Sequence, residues 1–280
     1  VPSLGDVRRM AGVAVPLLTP VALREAIDAR RIFQARGLHA PSLLHARRAY
    51  LSRVHLIPPS VDLDAGLIID IGANEGSFSA AVARLAPHAE IIACEPNPAP
   101  RERLRKRLGD RVTIVDQAIG LEPGRATFNI TAMDHNSSLR EPRSEEMGAL
   151  LDDAGWEVTE RVDVEVTTLD LLVGDRDVAV VKLDVQGAEL DVLLGGTNAL
   201  ARTQAVLMEV TFFSHYEADA TFGALHARMV DLGFELVAMA QPALAGAQGR
   251  FAWSDACYAR VEKDLVTSPL AEGVGVVEQP

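Results

Sequence analysis

Leu67-Ile68-Ile69-Asp70-Ile71-Gly72-Ala73-Asn74-Glu75-Gly76-Ser77-Phe78 is the stretch on which the fold turns. A short apolar strand runs into a glycine-bearing turn, and a helix follows with Phe78, Val82 and Leu85 on one face. Gly72 and Gly76 let a ligand approach the backbone without meeting a Cβ atom. Asn74 suits the turn into the helix, whose N-terminal amides can receive polar ligand atoms. A second apolar run, Glu90–Cys94, ends at Glu95, where a carboxylate can accept hydrogen bonds from both hydroxyls of a ribose. Strand, turn, helix, strand and acid together predict an adenosine-containing ligand.

Outward from this unit the alternation continues. Apolar runs at 112–115, Val178–Leu183, 205–210 and 234–239, separated by helical segments, predict an α/β fold with a mainly parallel sheet wrapped by helices. A last run at 256–261 predicts a strand that returns antiparallel to 234–239. Between the third and fourth runs the texture differs, with extra strands expected at 126–130 and 162–166 and loop or short helix at 134–138 and 144–155. This insertion, about 121–167, is expected to form a substrate cover. Upstream, 20–56 reads as helical, and Pro58-Pro59 reads as a linker. The expected organisation is a helical extension over 1–60, a catalytic domain over 61–262 and a frayed tail over 263–280.

Composition narrows the function. With 280 residues, 48% of them hydrophobic, the chain can bury one substantial core. Cys94 and Cys257 have neither zinc-finger nor disulfide-framework spacing, which fits a reducing cytoplasm. No stretch approaches the roughly 18 apolar residues of a membrane span, so a soluble protein is expected. Residues 1–20 carry an arginine pair before an apolar run, a signal-like look that Pro16 interrupts. A net charge of −12 argues against a general nucleic-acid binder. Residues 1–60 nonetheless hold nine arginines against three acids, a net of +6, which reads as a solvated helical surface or as attraction to an anionic substrate or membrane face. Weak membrane-surface association and homo-oligomerisation stay open.

Further motifs stand in order: Glu95-Pro96-Asn97-Pro98, Ala118-Ile119-Gly120, Thr168-Leu169-Asp170 and Val181-Lys182-Leu183-Asp184-Val185-Gln186-Gly187-Ala188-Glu189, followed by Gly195-Gly196. With the glycine turn they make the chain resemble the class I methyltransferases, and specifically the FkbM family, over residues 66–212. The resemblance implies a Rossmann-like class I methyltransferase sheet, S-adenosylmethionine as cofactor and O-methylation as the reaction, often on sugar hydroxyls of glycolipids, polysaccharides or natural products. It implies that Asp70, Gly72, Asn74 and Gly76 surround the methionine part of the cofactor and that Glu95 holds the ribose. Gln186 departs from the family pattern, where an acid is expected.

Candidate roles follow from position. Asp116 and Gln117, ending the third strand, can read the adenine amino edge, although polar residues end most strands. Asp184 follows the fourth strand, where ligands of open α/β sheets gather, and can orient an acceptor hydroxyl or take its proton; capping the next helix is its structural alternative. Glu209 ends the fifth strand as a second candidate. His135, in a polar loop of the cover, and His215, just after the fifth strand, are candidate bases beside their ordinary loop reading. Asp184 and Glu209 lack a third clear ligand, so no metal is expected.

Two other readings compete. An NAD-dependent or nucleotide-sugar oxidoreductase would share the glycine turn and ribose acid, but the G-x-G-x-x-G spacing is missing and none of Tyr50, Tyr216 and Tyr258 has lysine four residues later. A non-catalytic adenosine-ligand sensor would keep the pocket without turnover. A base-amino methyltransferase would carry Asn/Asp-Pro-Pro-aromatic after the fourth strand, where this chain has Asp184-Val185-Gln186-Gly187. A small-molecule or glycan acceptor with a hydroxyl oxygen is therefore expected.

Overall fold

The computed structural model describes residues 52–64, 66–151 and 154–261. The helices expected in 20–51, the signal-like stretch and the tail expected from 263 lie outside the described residues, as does most of the basic segment. From the glycine turn outward the order is β1 (Leu67–Ile71), α1 (Ser77–Leu85), β2 (Glu90–Cys94), α2 (Pro98–Leu108) and β3 (Thr113–Val115). The insertion contributes β4 (Ala118–Ile119), β5 (Gly124–Thr131), α3 (Ser144–Leu151) and β6 (Val158–Thr167). Then come α4 (Leu169–Val173), β7 (Val178–Leu183), α5 (Glu189–Leu194), α6 (Thr197–Ala201), β8 (Thr203–Thr211), α7 (Phe222–Asp231) and β9 (Glu235–Met239). A hairpin, β10 (Leu244–Ala245) and β11 (Arg250–Phe251), precedes β12 (Trp253–Ala259).

The main sheet has the order β3-β2-β1-β7-β8-β12-β9 and is parallel except for β12, which runs antiparallel to both β8 and β9. The final strand therefore slots between its predecessors, and it starts at Trp253, earlier than the 256–261 run indicates. Period-two alternation divides the core. Ile68, Val180, Leu207 and Cys257 face one side, against Phe78 and Val82 of α1 and Leu104 of α2. Ile69, Val181, Val206 and Tyr258 face the other, against Leu169, Val192, Leu225 and Met229 of α4, α5 and α7. Because both faces are covered, the central strands are mostly apolar, with Asp70, Lys182 and Glu209 set near their carboxyl ends.

Pro58-Pro59, read as a linker, is half-buried to exposed, but the residues on either side of it belong to the core. Val54, Leu56, Ile57, Val61 and Leu63 are buried among the residues packed on α1, and Arg53 reaches Asp255 of β12 at 2.8 Å. The insertion forms its own sheet, ordered β4-β6-β5, over a small core of Ala118, Phe128, Val164 and Val166. A second cluster of Met147, Trp156 and Tyr216 joins the insertion to the segment after β8.

The Thr168-Leu169-Asp170 motif is structural. Thr168 caps α4 by accepting from Leu171 N at 3.2 Å. Asp170 accepts from the amides of Asn198 and Ala199 at 3.3 and 2.7 Å, holding the start of α6.

Candidate active site

At the carboxyl ends of β1, β2 and β7 a cavity opens, where small-molecule sites of open α/β sheets are found. Gly72, Asn74, Glu95 and Asp184 line it from the sheet, and Phe128 and His135 line it from the insertion. Among the described residues, those lining the cavity carry three carboxylates, Glu95, Asp134 and Asp184, and no lysine or arginine.

Glu95 is 5% exposed, so it is a buried group, not a surface helix cap. Its Oε2 accepts from Asn74 N at 2.7 Å and its Oε1 from Asn97 N at 2.8 Å. The glycine turn and the start of α2 are thus tied to one carboxylate. Burial pushes its pKa up to about 7, although those two amides and Lys182 pull the other way.

Asp184 does not cap α5: the N-cap there is Ala188, with no side-chain cap bond. Its side chain is 37% exposed and lies 3.3 Å, through Oδ2, from Lys182 Nζ. Lys182 also donates to Gly72 O at 3.0 Å and lies 3.5 Å from Asp70 Oδ1, so one ammonium joins the glycine turn to the end of β7. Burial opposes its charge, but Asp184 and Asp70 outweigh that and hold it protonated.

The glycines serve packing more than ligand access. A Cβ on Gly72, whose φ is +73°, would stand 1.8 Å from the Asp184 carbonyl oxygen, and one on Gly76 would stand 2.3 Å from Leu104. The space that the sequence assigns to a ligand is filled at both places by the protein. Gly72 still borders the cavity; Gly76 does not line it.

Of the other candidates, Gln117 lines the cavity and Asp116 is exposed outside it. Asp70 is fully buried behind the turn, where Oδ2 accepts from Ser79 Oγ at 2.6 Å and holds the first turn of α1. Glu209 sits beside the cavity lining, bridged to it by Gln186. His215 is 2% exposed, ringed by Trp156, Phe213 and Trp253, and burial pushes its pKa down to about 4 against the pull of Asp219. It is a core aromatic away from the cavity lining, whereas His135 borders the cavity.

Lys182 and Tyr216 were not among the candidates. Lys182 was legible, since residues two apart on a strand share a face and Lys182 precedes Asp184 by two. Tyr216 carried no local signal. Among the described residues no group of three or more His, Cys, Asp or Glu side chains is arranged to hold a metal ion, and no helix is long and apolar enough to cross a membrane.

The sequence model of the methyltransferase FkbM domain matches residues 70–236. The 2-O-methyltransferase NoeI of Sinorhizobium fredii is 30% identical over 220 residues, covering 73% of this chain and 84% of that protein. The AMB antimetabolite synthetase AmbE of Pseudomonas aeruginosa is 31% identical over 239 residues, which are 73% of this chain but 11% of the synthetase. Among solved structures, Aeropyrum pernix fibrillarin in complex with S-adenosyl-L-methionine aligns with a TM-score of 0.41 and 12% identity, over 76% of this chain and 73% of that one. With the family pattern matched from the glycine turn to β9, and with the acid-lined cavity at its strand ends, the chain belongs to the FkbM methyltransferase family and is an S-adenosylmethionine-dependent methyltransferase.

Proposed function

We propose that the protein methylates a hydroxyl oxygen of an uncharged acceptor such as a sugar, glycolipid or natural product, with Asp184 orienting that hydroxyl and receiving its proton. The observation that carries this is the cavity itself, bordered by Asp184 at the end of β7 and by no lysine or arginine. A phosphate or carboxylate beside the reacting hydroxyl would meet the Asp184 carboxylate, with the nearby Lys182 already paired to that acid and no other lysine or arginine among the described lining residues. The similarity to a 2-O-methyltransferase supports an oxygen acceptor.

The donor set suits the cofactor. Each Glu95 oxygen accepts one backbone amide and keeps further lone pairs for two ribose hydroxyls. Ile119, Phe128 and Leu139 provide an apolar wall for a flat base, with Gln117 beside it. S-adenosylmethionine supplies a methyl group already activated by a cationic sulfur. The protein is then left with aligning the acceptor and taking up one proton, which a carboxylate with 37% side-chain exposure can do. The insertion residues that border the cavity fit the role of a substrate cover. Cys94 is a buried free thiol and Cys257 is likewise buried, which suits a cytoplasmic enzyme.

The test is transfer of labelled methyl to a neutral sugar and to its phosphorylated counterpart, with the site of methylation read by mass spectrometry. Methyl on oxygen of the neutral compound is expected, and preferential methylation of the phosphorylated one overturns the assignment.

Glu95 gives a separate prediction. Glu95→Ala should weaken S-adenosylhomocysteine binding by about 1–3 kcal/mol, as read by calorimetry. Ribose hydroxyls favour the ionised carboxylate, and the free group titrates near 7. Affinity should therefore rise from about pH 6 to pH 8, by at most about tenfold per unit of pKa lowered on binding, and protons should be released. Glu95→Gln should abolish this dependence; a flat profile in the unaltered protein counts against the ribose contact.

A further inference from the structure

We propose that Gln186 is the positioning residue of the transfer site: its side-chain amide joins Asp184 to Glu209 and fixes the Asp184 carboxylate for the acceptor hydroxyl. The inference rests on the role given to Asp184 above. Gln186 Nε2 donates to Asp184 Oδ1 at 2.7 Å and to Glu209 Oε1 at 3.1 Å, so both amide hydrogens are used. The amide oxygen accepts from the Tyr216 hydroxyl at 2.8 Å, and that hydroxyl also faces Asn136 O at 3.0 Å. Turned over, the amide would set its oxygen against the Asp184 carboxylate. One orientation therefore gives both carboxyl groups a donor and offers the Tyr216 hydroxyl an acceptor.

The backbone is braced to keep it there. Gln186 has a φ of 55°, which side-chain-bearing residues seldom adopt, and Gly187 follows at 93°. Glu189 accepts from Val185 N at 3.1 Å and from Gly187 N at 3.0 Å. Ser138 Oγ, from the insertion, donates to Gln186 O at 2.6 Å. The Tyr216 ring packs so closely that a Cβ on Gly187 would come within 2.8 Å of it. A strained residue held from several sides is a device for fixing a side chain at a functional site.

Charge gives the reason for an amide at this place. Asp184 faces Lys182, with Asp70 beyond it, and Glu189, Glu209 and Tyr216 stand around the same point. Asp255, paired with Arg53 at 2.8 Å, lies beside Glu209. Burial, then Asp184, Asp255 and Glu189, push the Glu209 carboxyl well above the usual carboxylate range. A neutral donor between the two carboxyl groups lets the negative charge rest on Asp184, whose other oxygen faces Lys182. An ionised carboxylate at 186 would set acceptor against acceptor, so the acid of the family pattern could take this place only when protonated.

Gln186→Glu is the nearly isosteric test. Its kcat should fall about 10²-fold or more, with S-adenosylhomocysteine affinity within about threefold of the unaltered protein. The acid limb of its pH–kcat profile should move up by about one unit, because an added like charge raises carboxyl protonation. In ligand-free protein the variant should lose stability relative to the original as pH rises from about 5 to 8, since a carboxyl protonated more readily folded than unfolded loses its contribution on ionising. Tyr216→Phe, which removes only the hydroxyl that orients the amide, should lower kcat about tenfold. Original kcat and an unmoved acid limb in Gln186→Glu overturn the proposal. If that variant does not fold, original kcat in Tyr216→Phe overturns it. Asp184→Asn measured alongside separates the two ideas. A normal rate there overturns the role of Asp184, whereas an inactive Asp184→Asn beside a normal Gln186→Glu overturns that of Gln186 alone.

Discussion

Asp184→Asn is expected to slow single-turnover methyl transfer by about 10²–10⁴-fold, the range of a lost general base, while leaving S-adenosylhomocysteine affinity within about threefold. The substitution keeps the shape and removes the proton acceptor. Both oxygens of the native side chain face donors, Oδ1 toward Gln186 Nε2 at 2.7 Å and Oδ2 toward Lys182 Nζ at 3.3 Å. Asparagine must turn its amide nitrogen toward one of them, so a stability loss of about 1–3 kcal/mol should accompany the rate loss. Urea unfolding at the same pH reads that cost separately from turnover. A rate loss without weakened cofactor binding places the effect on the acceptor side. An unchanged rate moves the proton acceptor to His135, whose side chain borders the same cavity.

Gly72→Ala is expected to destabilise the fold by about 3 kcal/mol or more, combining an unfavourable φ with a backbone clash. The new Cβ would sit 1.8 Å from the Asp184 carbonyl oxygen, and no side-chain rotation relieves a contact between two main chains. Moving the chains apart would also break the bond from Gly72 N to Cys94 O at 3.0 Å and the contact of Gly72 O with Lys182. Gly174 provides the control, because its φ is +62° and nothing lies within 4 Å of its ideal Cβ. Gly174→Ala should cost only the conformational part, about 1–3 kcal/mol, because a φ of +62° with a ψ of −132° lies outside the left-handed helical region and is a combination that side-chain-bearing residues avoid. Equal losses in the two variants, measured by urea midpoints, would mean that the close approach of β1 to β7 contributes nothing.

Much of the fold was open to reading because burial on both faces leaves a direct mark. Leu67–Ile71, Glu90–Cys94 and Val178–Leu183 are runs of strand length with one charged residue each, and they are central strands of the sheet. The acids that end such runs, Glu95 and Asp184, fall at the cavity for the same reason: a chain leaving a buried parallel strand emerges at the sheet's carboxyl edge. Exposed and edge elements were less legible. The short β10–β11 hairpin and the early start of β12 carry no strong alternation, since packing against neighbours, not local pattern, makes them strands.

The sequence by itself determined the sheet, the order of its motifs, the family and the placing of Glu95 and Asp184, because each depends on residues close together in the chain. Only the tertiary structure decided between residues of equal local promise. His135, in a polar loop, and His215, just after a strand, are both candidate bases by position, yet one borders the cavity and the other is sealed among aromatic rings. Gly72 owes its identity to a carbonyl 112 positions away, and Lys182 reaches a turn 110 positions before it. The link between Tyr216 and Gln186 spans 30 positions. Contacts of that kind are set by how strands register and loops cross, and no spacing rule along the chain encodes them.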